Sequence, residues 1–219
     1  WPSSLAVVAS WVGSHRVDHR PLPAVRRWRC VHGVGLVDRI PLPGSGQSPC
    51  SQAAQVAVRQ MSMNSTRLYL ANKLMRLLPP SRGFAIKRAL LRFAGAQIGD
   101  NVRIVSSAEI YCSGTLSIGD NSWIGHQCLI AGGEADIVIG KNVNIAPRVT
   151  LVSGSHKIDF EGPMAAGEGY STPITIADGA WLGAASTILG GTQVGENAVV
   201  AAGAVAKGEI APKTVFKGL

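Results

Sequence analysis

Candidate carriers of chemistry are few in this chain and widely spaced. His156 stands in the polar run Ser153-Gly154-Ser155-His156-Lys157-Ile158-Asp159-Phe160-Glu161-Gly162-Pro163, where it is the only histidine. With a reference pKa of about 6.5, an imidazole takes a proton from a hydroxyl at neutral pH, an effect typically worth about 10²–10⁴-fold in rate. A solvated surface side chain is the plain alternative. Asp159 and Glu161 share the run, either to orient the ring or to stay solvated. A second histidine, His126, lies with Gln127 after Gly125, where it either meets a substrate or points into solvent. Beyond residue 60 there is no third histidine, and the four cysteines (Cys30, Cys50, Cys112, Cys128) form no Cys-x-x-Cys pair. Those counts argue against a three-histidine zinc centre, a zinc ribbon and a disulfide framework. No metal is expected, and a reducing, cytoplasmic setting fits.

Something must position these residues, and the stretch from Ile98 to Ala206 supplies it. An aliphatic residue returns there every six positions: Ile98, Ile104, Ile110, then Ile118, Ile124, Ile130, then Ile139, Ile145, Leu151, then Ile176, Leu182, Ile188, Val194, Val200. Four residues after most of these comes a small one, among them Val102, Ala108, Ser122, Cys128, Ala180 and Ser186. A period of six fits neither a helix nor a flat strand. It fits a short strand plus a bend, with positions i and i+4 facing inward. Gly99-Asp100-Asn101, Gly119-Asp120-Asn121, Gly140-Lys141-Asn142 and Gly195-Glu196-Asn197 supply the bends, since Gly and Asn tolerate positive φ. Three hexads and two spare residues close one triangular coil, and coils stacked at roughly 4.8 Å form a β-solenoid whose turns bury themselves only against one another. On this reading Cys128 is inward and Cys112 lies on the surface. The period fails after Leu151 and resumes at Ile174, so residues 153–175 form a loop off one corner, the kind of place where function concentrates. Trp181 falls at an outward corner, where an indole on a solenoid wall implies a ligand or a subunit against it.

The flanks differ from this domain. The 219-residue chain carries a formal net charge of +8, unevenly spread. Residues 1–60 hold three tryptophans and seven arginines but no lysine or methionine. They read as a non-native or disordered leader, translated from upstream of a start near Met61 or Met63, better than as an arginine-rich arm for nucleic acid or a targeting peptide. Their apolar runs are too short to span a membrane, and Pro21, Pro23, Pro41 and Pro43 break any long helix. Residues 61–95 form a basic helical lead-in. From Met61 to Gly99 there is no acid, while Arg67, Lys73, Arg76, Arg82, Lys87, Arg88 and Arg92 interleave with apolar residues, and Pro79-Pro80 divides two helices. These helices cap the first coil, or lie on an anionic membrane surface through residues 64–94, or both. At the other end Lys207, Lys213 and Lys217 make a basic tail, suited to phosphate or merely solvated.

The hexads, the Gly154-Ser155-His156 segment, the Trp181-Leu182-Gly183-Ala184 segment and the run from Ala202 to Lys207 resemble the hexapeptide-repeat acyltransferases over roughly residues 96–219. Within that family the chain is most like the sugar O-acetyltransferases of polysaccharide clusters, of the colanic acid and capsule type. The resemblance implies an all-β fold, a left-handed parallel β-helix with a short N-terminal helical segment, usually assembled as a homotrimer. It implies acetyl-CoA as co-substrate and His156 as the base that deprotonates the acceptor hydroxyl in a ternary complex, with Asp159 as a candidate to orient the ring. Trp181 would lie along the pantetheine arm, Gly183 and Ala184 beside it, and Ala202, Ala206 and Lys207 would close the coenzyme groove. Where relatives often offer the acceptor an asparagine, this chain has Gly125, which leaves His126 and Gln127 as the acceptor contacts. The implied acceptor is a sugar or a lipid-linked glycan, met in the cytoplasm or at the inner face of the membrane. Serine and maltose or galactoside-type acetyltransferases are the nearest rival readings. A structural β-helix without activity is the non-enzymatic one, and it would need neither His156 nor Trp181.

Overall fold

The computed structural model describes residues 63–218, so the leader reading, with Cys30 and Cys50, falls outside the described residues. Two helices, α1 (Ser65–Leu77) and α2 (Phe84–Phe93), precede the coils. Coil 1 comprises β1 (Gln97–Ile98), β2 (Arg103–Ile104) and β3 (Glu109–Tyr111), coil 2 comprises β4 (Leu116–Ile118), β5 (Trp123–Ile124) and β6 (Leu129–Ala131), and coil 3 comprises β7 (Ile137–Ile139), β8 (Asn144–Ile145) and β9 (Thr150–Val152). An antiparallel hairpin, β10 (Gly154–Ile158) and β11 (Ala166–Ser171), then leaves the coil. Coil 4 resumes with β12 (Ile174–Ile176), β13 (Trp181–Leu182) and β14 (Thr187–Leu189). Coil 5 has β15 (Gln193–Val194), β16 (Val199–Val200) and β17 (Val205–Ala206), and a last partial coil has β18 (Glu209–Ile210) and β19 (Val215–Phe216).

The first strands of all coils form one parallel sheet, β1-β4-β7-β12-β15-β18, here sheet I. The second strands form sheet II, β2-β5-β8-β13-β16-β19, and the third form sheet III, β3-β6-β9-β14-β17. This is the three-sided parallel solenoid expected from the hexads, and it agrees with the left-handed β-helix that the resemblance implies. All fourteen aliphatic markers are buried, and so are the small residues four positions on. Register is strict: Ile118 pairs with Ile98 and Ile139, and Ile124 with Ile104 and Ile145, so like residues stack on like. The Asn of each bend adopts a left-handed backbone, with φ of 52° to 60° at Asn101, Asn121, Asn142 and Asn197.

The two helices close the open end of coil 1. α1 lies against β3 and α2 against β1 and β2. Leu68, Ala71, Met75 and Leu91 join the core. Asn72 donates from Nδ2 to the carbonyl of Ile110 at 2.7 Å. Lys87 is fully buried, and its ammonium donates to the carbonyls of Pro79 at 3.1 Å and Pro80 at 2.7 Å, which fixes the bend between the helices. Burial also pulls its pKa below the ordinary lysine value.

Cys128 is inward as expected, but Cys112 corrects the surface assignment. It follows β3, against which α1 packs, and belongs to the same buried cluster. Desolvation pushes its thiol up to about 11 and that of Cys128 upward as well. In the folded chain at pH 8, both cysteines should resist a thiol reagent and both should react in urea, read by peptide mass mapping. Ile124→Ala, in the stack on sheet II, should cost about 2–5 kcal/mol in urea unfolding. Val138→Ala, outward and exposed on sheet I, should stay within about 0.5 kcal/mol. Equal costs would show that the inward–outward alternation is misread.

Candidate active site

The hexad phase decides which edge of the prism each candidate residue occupies. Residues between the second and third strands of a coil lie on the edge joining sheets II and III, and four successive bends stack there. The amide of Gln127 donates to Ser107 Oγ at 3.1 Å, Arg148 to the carbonyl of His126 at 2.7 Å, Ala185 to that of Pro147 at 3.0 Å, and Gly203 to that of Ala184 at 2.8 Å. Gln127, Arg148, Ala185 and Gly203 all have positive φ, so one bend geometry repeats down the edge. His126 and Gln127 therefore lie in line with Ala184 and Ala202. Trp181, 53% exposed on sheet II, stands beside this edge in register with Asn144 and Val199.

At Gly125 and Gly183 close stacking decides the residue. A Cβ on Gly125 would sit 2.7 Å from the carbonyl oxygen of Ile145, and one on Gly183 would sit 2.5 Å from the amide nitrogen of Ala202. No asparagine fits at 125, which is the physical reason for the departure there. Gly183 offers only its backbone. The Ala206 methyl is fully buried in the prism, so like Gly183 it has no side chain to offer a ligand.

At the upper end of this edge, a cavity of about 410 Å³ opens between the helical cap and coils 1 and 2, lined among others by Arg76, Ser107, Glu109 and Gln127. Arg76 pairs with Glu109, whose other carboxylate oxygen accepts from the Tyr111 hydroxyl at 2.7 Å. The Tyr111 hydrogen bond first, then Arg76, hold the Glu109 carboxyl below its usual pKa. His126 stands next to it, with Nδ1 3.5 Å from Ser107 Oγ.

His156 is elsewhere, on the edge joining sheets III and I. It sits in β10 opposite Gly169 of β11, in a hairpin rooted by the Thr172 amide on the Ser153 carbonyl at 2.9 Å and the Ala135 amide on Ser171 Oγ at 3.1 Å. Its Nδ1 lies 2.9 Å from the carbonyl of Gly167. A carbonyl only accepts, so Nδ1 carries a proton, and in the neutral ring Nε2 keeps its lone pair. The ring borders an open cleft of about 740 Å³ lined also by Glu134, Ser155 and Tyr170. Lys207 lies on the same edge, where it borders a second cavity of about 310 Å³ that shares Ser155 and Tyr170 with the first.

Asp159 does not meet the ring. Its Oδ1 accepts from the amides of Glu161 and Gly162 at 3.1 and 3.0 Å, which closes the hairpin turn, and the Gly167 carbonyl takes the orienting place. Glu134 and Tyr170 are the residues that sequence reasoning missed. Glu134 arrives from the stretch after β6, and Tyr170 faces Ser155 through the β10–β11 pairing. Among the described residues no group of three or more His, Cys, Asp or Glu side chains could hold a metal ion.

Comparison with known proteins bears on this prism. The sequence profile of the bacterial transferase hexapeptide, six repeats, matches residues 173–208. Over that stretch the chain is similar to the hexapeptide-repeat transferases. It is 31% identical over 133 residues to the galactoside O-acetyltransferase of Escherichia coli K12, covering 61% of this chain and 64% of that one. It is 34% identical over 114 residues to the putative colanic acid biosynthesis acetyltransferase WcaF of the same organism, covering 52% and 59%. The chain thus spans less than two thirds of the length of these curated relatives. Among solved structures, a hexapeptide-repeat acetyltransferase of Vibrio cholerae complexed with acetyl coenzyme A superposes with a TM-score of 0.58 at 26% identity, over 69% of this chain and 80% of that one.

The ring geometry makes one prediction. Nitrogen NMR of the folded protein, at a pH where His156 is neutral, should report a protonated Nδ1 and an unprotonated Nε2. The reverse pattern would remove the Gly167 contact.

Proposed function

We propose that the protein is an acetyl-CoA-dependent O-acetyltransferase that acetylates a sugar hydroxyl in polysaccharide biosynthesis, with His156 as general base. The observation that carries this reading is the Nδ1–H bond to Gly167, which leaves Nε2 as the acceptor of a ring that borders an open cleft. In the proposed step Nε2 takes the hydroxyl proton as the acceptor oxygen attacks the thioester carbonyl. The tetrahedral intermediate then expels the coenzyme A thiolate, which recovers the proton from the imidazolium, and no acyl-enzyme forms. Tyr170 offers the acceptor a flat apolar face beside the base.

Trp181, the Gly183 and Ala184 backbone and Ala202 would take the pantetheine arm, and His126 and Gln127 the acceptor. Those residues lie on the edge between sheets II and III, whereas His156 and Lys207 lie on the edge between III and I. A complete site therefore needs two copies, one bringing its His156 edge to the coenzyme edge of the next. Such a head-to-tail contact closes into a ring, and a homotrimer is the reading we adopt. The outward residues of sheet III, which lies between the two edges, support it: apolar Tyr111, Leu129, Ala131, Val152, Leu189 and Val205 outnumber Glu109, Thr150 and Thr187 there, while sheet I presents Gln97, Ser117, Thr175, Gln193 and Glu209 beside a single apolar Val138. Lys207, near the coenzyme phosphates or the acceptor, would add a point charge.

The test is thiol release from acetyl-CoA with a panel of free and lipid-linked sugars. His156→Ala should lower kcat by about 10²–10⁴-fold with acetyl-CoA binding intact. Asp159→Asn, which leaves the ring's partner in place, should change kcat by less than about threefold. Unchanged turnover in His156→Ala would end the mechanism, and turnover only with galactosides or maltose would favour the rival acceptor class.

A further inference from the structure

The faces that α1 and α2 turn away from the coils are as apolar as a core-facing stripe. At about 100° per residue, Leu70 and Leu77 fall opposite the buried Leu68, Ala71, Asn72 and Met75, and Leu74 lies on the flank next to them. All three are exposed, Leu77 to 82%. On α2, Ile86 and Phe93 are likewise exposed on the side away from buried Lys87 and Leu91. The two stripes adjoin, because the Arg67 guanidinium of α1 lies 4.8 Å from the centre of the Phe93 ring.

A helix exposed on one side ordinarily puts charge there. Here the charge flanks the stripe instead, and it has one sign. Arg67 and Lys73 border the leucines, and no acid occurs anywhere from residue 61 to 99, whereas the Arg92 guanidinium beside Phe93 donates to the Ile98 carbonyl at 2.8 Å and pairs with Asp100 at 3.4 Å. We propose that this face docks on an anionic lipid surface, with Leu70, Leu74, Leu77, Ile86 and Phe93 dipping into the headgroup boundary and the flanking bases meeting lipid phosphates. Charge complementarity selects this occupant over a second copy, since pairing the face with itself would oppose two acid-free basic surfaces. At 13 and 10 residues the helices are too short to cross a bilayer, and among the described residues none is long and apolar enough to do so. They lie in the interface plane. Docking is independent of the acetyl-transfer reading, although it would hold the coils near acceptors carried on lipid.

Co-sedimentation of the full 219-residue chain with phosphatidylcholine vesicles, with and without phosphatidylglycerol, tests the proposal. Binding should require the anionic lipid and weaken with salt. Because residues 1–62 also carry arginines, the decisive variant keeps all charge. Leu70→Gln/Leu74→Gln/Leu77→Gln should lower partitioning roughly tenfold or more. Arg67→Gln/Lys73→Gln, with the stripe intact, should lower it by roughly fivefold per removed base at low salt. Three results would overturn the proposal: no binding of the natural chain to anionic vesicles, unchanged binding of the triple glutamine variant, or a triple variant that loses an oligomer in sedimentation velocity while vesicle binding stays the same. Loss of sugar acetylation in solution bears on the other reading alone.

Discussion

One coil of this prism cannot bury its own aliphatic residues, and that constraint shapes everything above it. Each inward Ile or Leu closes its stack only through the coil before and the coil after. Spacing between coils is set by the parallel strand ladder, so every residue must fit a slot defined by its counterpart one turn away. The consequences are visible at Gly125 and Gly183, where a single added carbon would enter the next coil's backbone. They are also visible in the repeated left-handed bends at Asn101, Asn121, Asn142 and Asn197. A stack of this kind has two open ends, and the described residues show how one is sealed. α1 and α2 carry Leu68, Met75 and Leu91 into the core and spend a buried ammonium, Lys87, on holding the bend between them.

The rigidity of the stack gives the candidate site its accuracy. A two-stranded hairpin alone is marginal in water. Here the hairpin starts and ends on consecutive coils, and its root is tied to the Ser153 carbonyl and to Ser171, so the His156 ring is carried by the prism rather than by a free loop. The Gly167 carbonyl then fixes the ring's tautomer from within the same hairpin. A backbone acceptor does what a carboxylate often does elsewhere, at lower charge and with no side-chain freedom to lose.

Much of this was legible in the chain of letters. The hexad positions specified the inward residues, the three sheets and the point of interruption, because a side chain's facing depends on its phase in the repeat. What escaped depended on contacts that the repeat does not encode. Cys112 is a spare residue between the third strand and the next coil, a place the six-residue period does not cover, and its counterpart Ser153 on coil 3 is buried as well. Asp159 is near His156 in sequence, yet its carboxylate closes the turn through the Glu161 and Gly162 amides. Tyr170 reaches Ser155 only through antiparallel pairing within an insertion whose strand pattern is weak. The division of the candidate residues between two edges was present in the chain order, since His126, Ala184 and Ala202 share the phase that follows a second strand, whereas His156 and Lys207 both come after a third strand. Reading it required counting three hexads per coil rather than measuring distance along the chain.

That division is the point on which the functional reading turns, and subunit mixing reaches it most directly. His156→Ala chains and chains with a blocked coenzyme edge, Ala202→Trp, would each be inactive alone, then unfolded together and refolded as a one-to-one mixture. If base and coenzyme edge come from different copies, random assembly restores roughly a quarter of the natural thiol release, because one interface in four pairs an intact base with an intact edge. A mixture as inactive as its parents, while natural chains refolded in the same way recover activity, would contradict a site shared between copies.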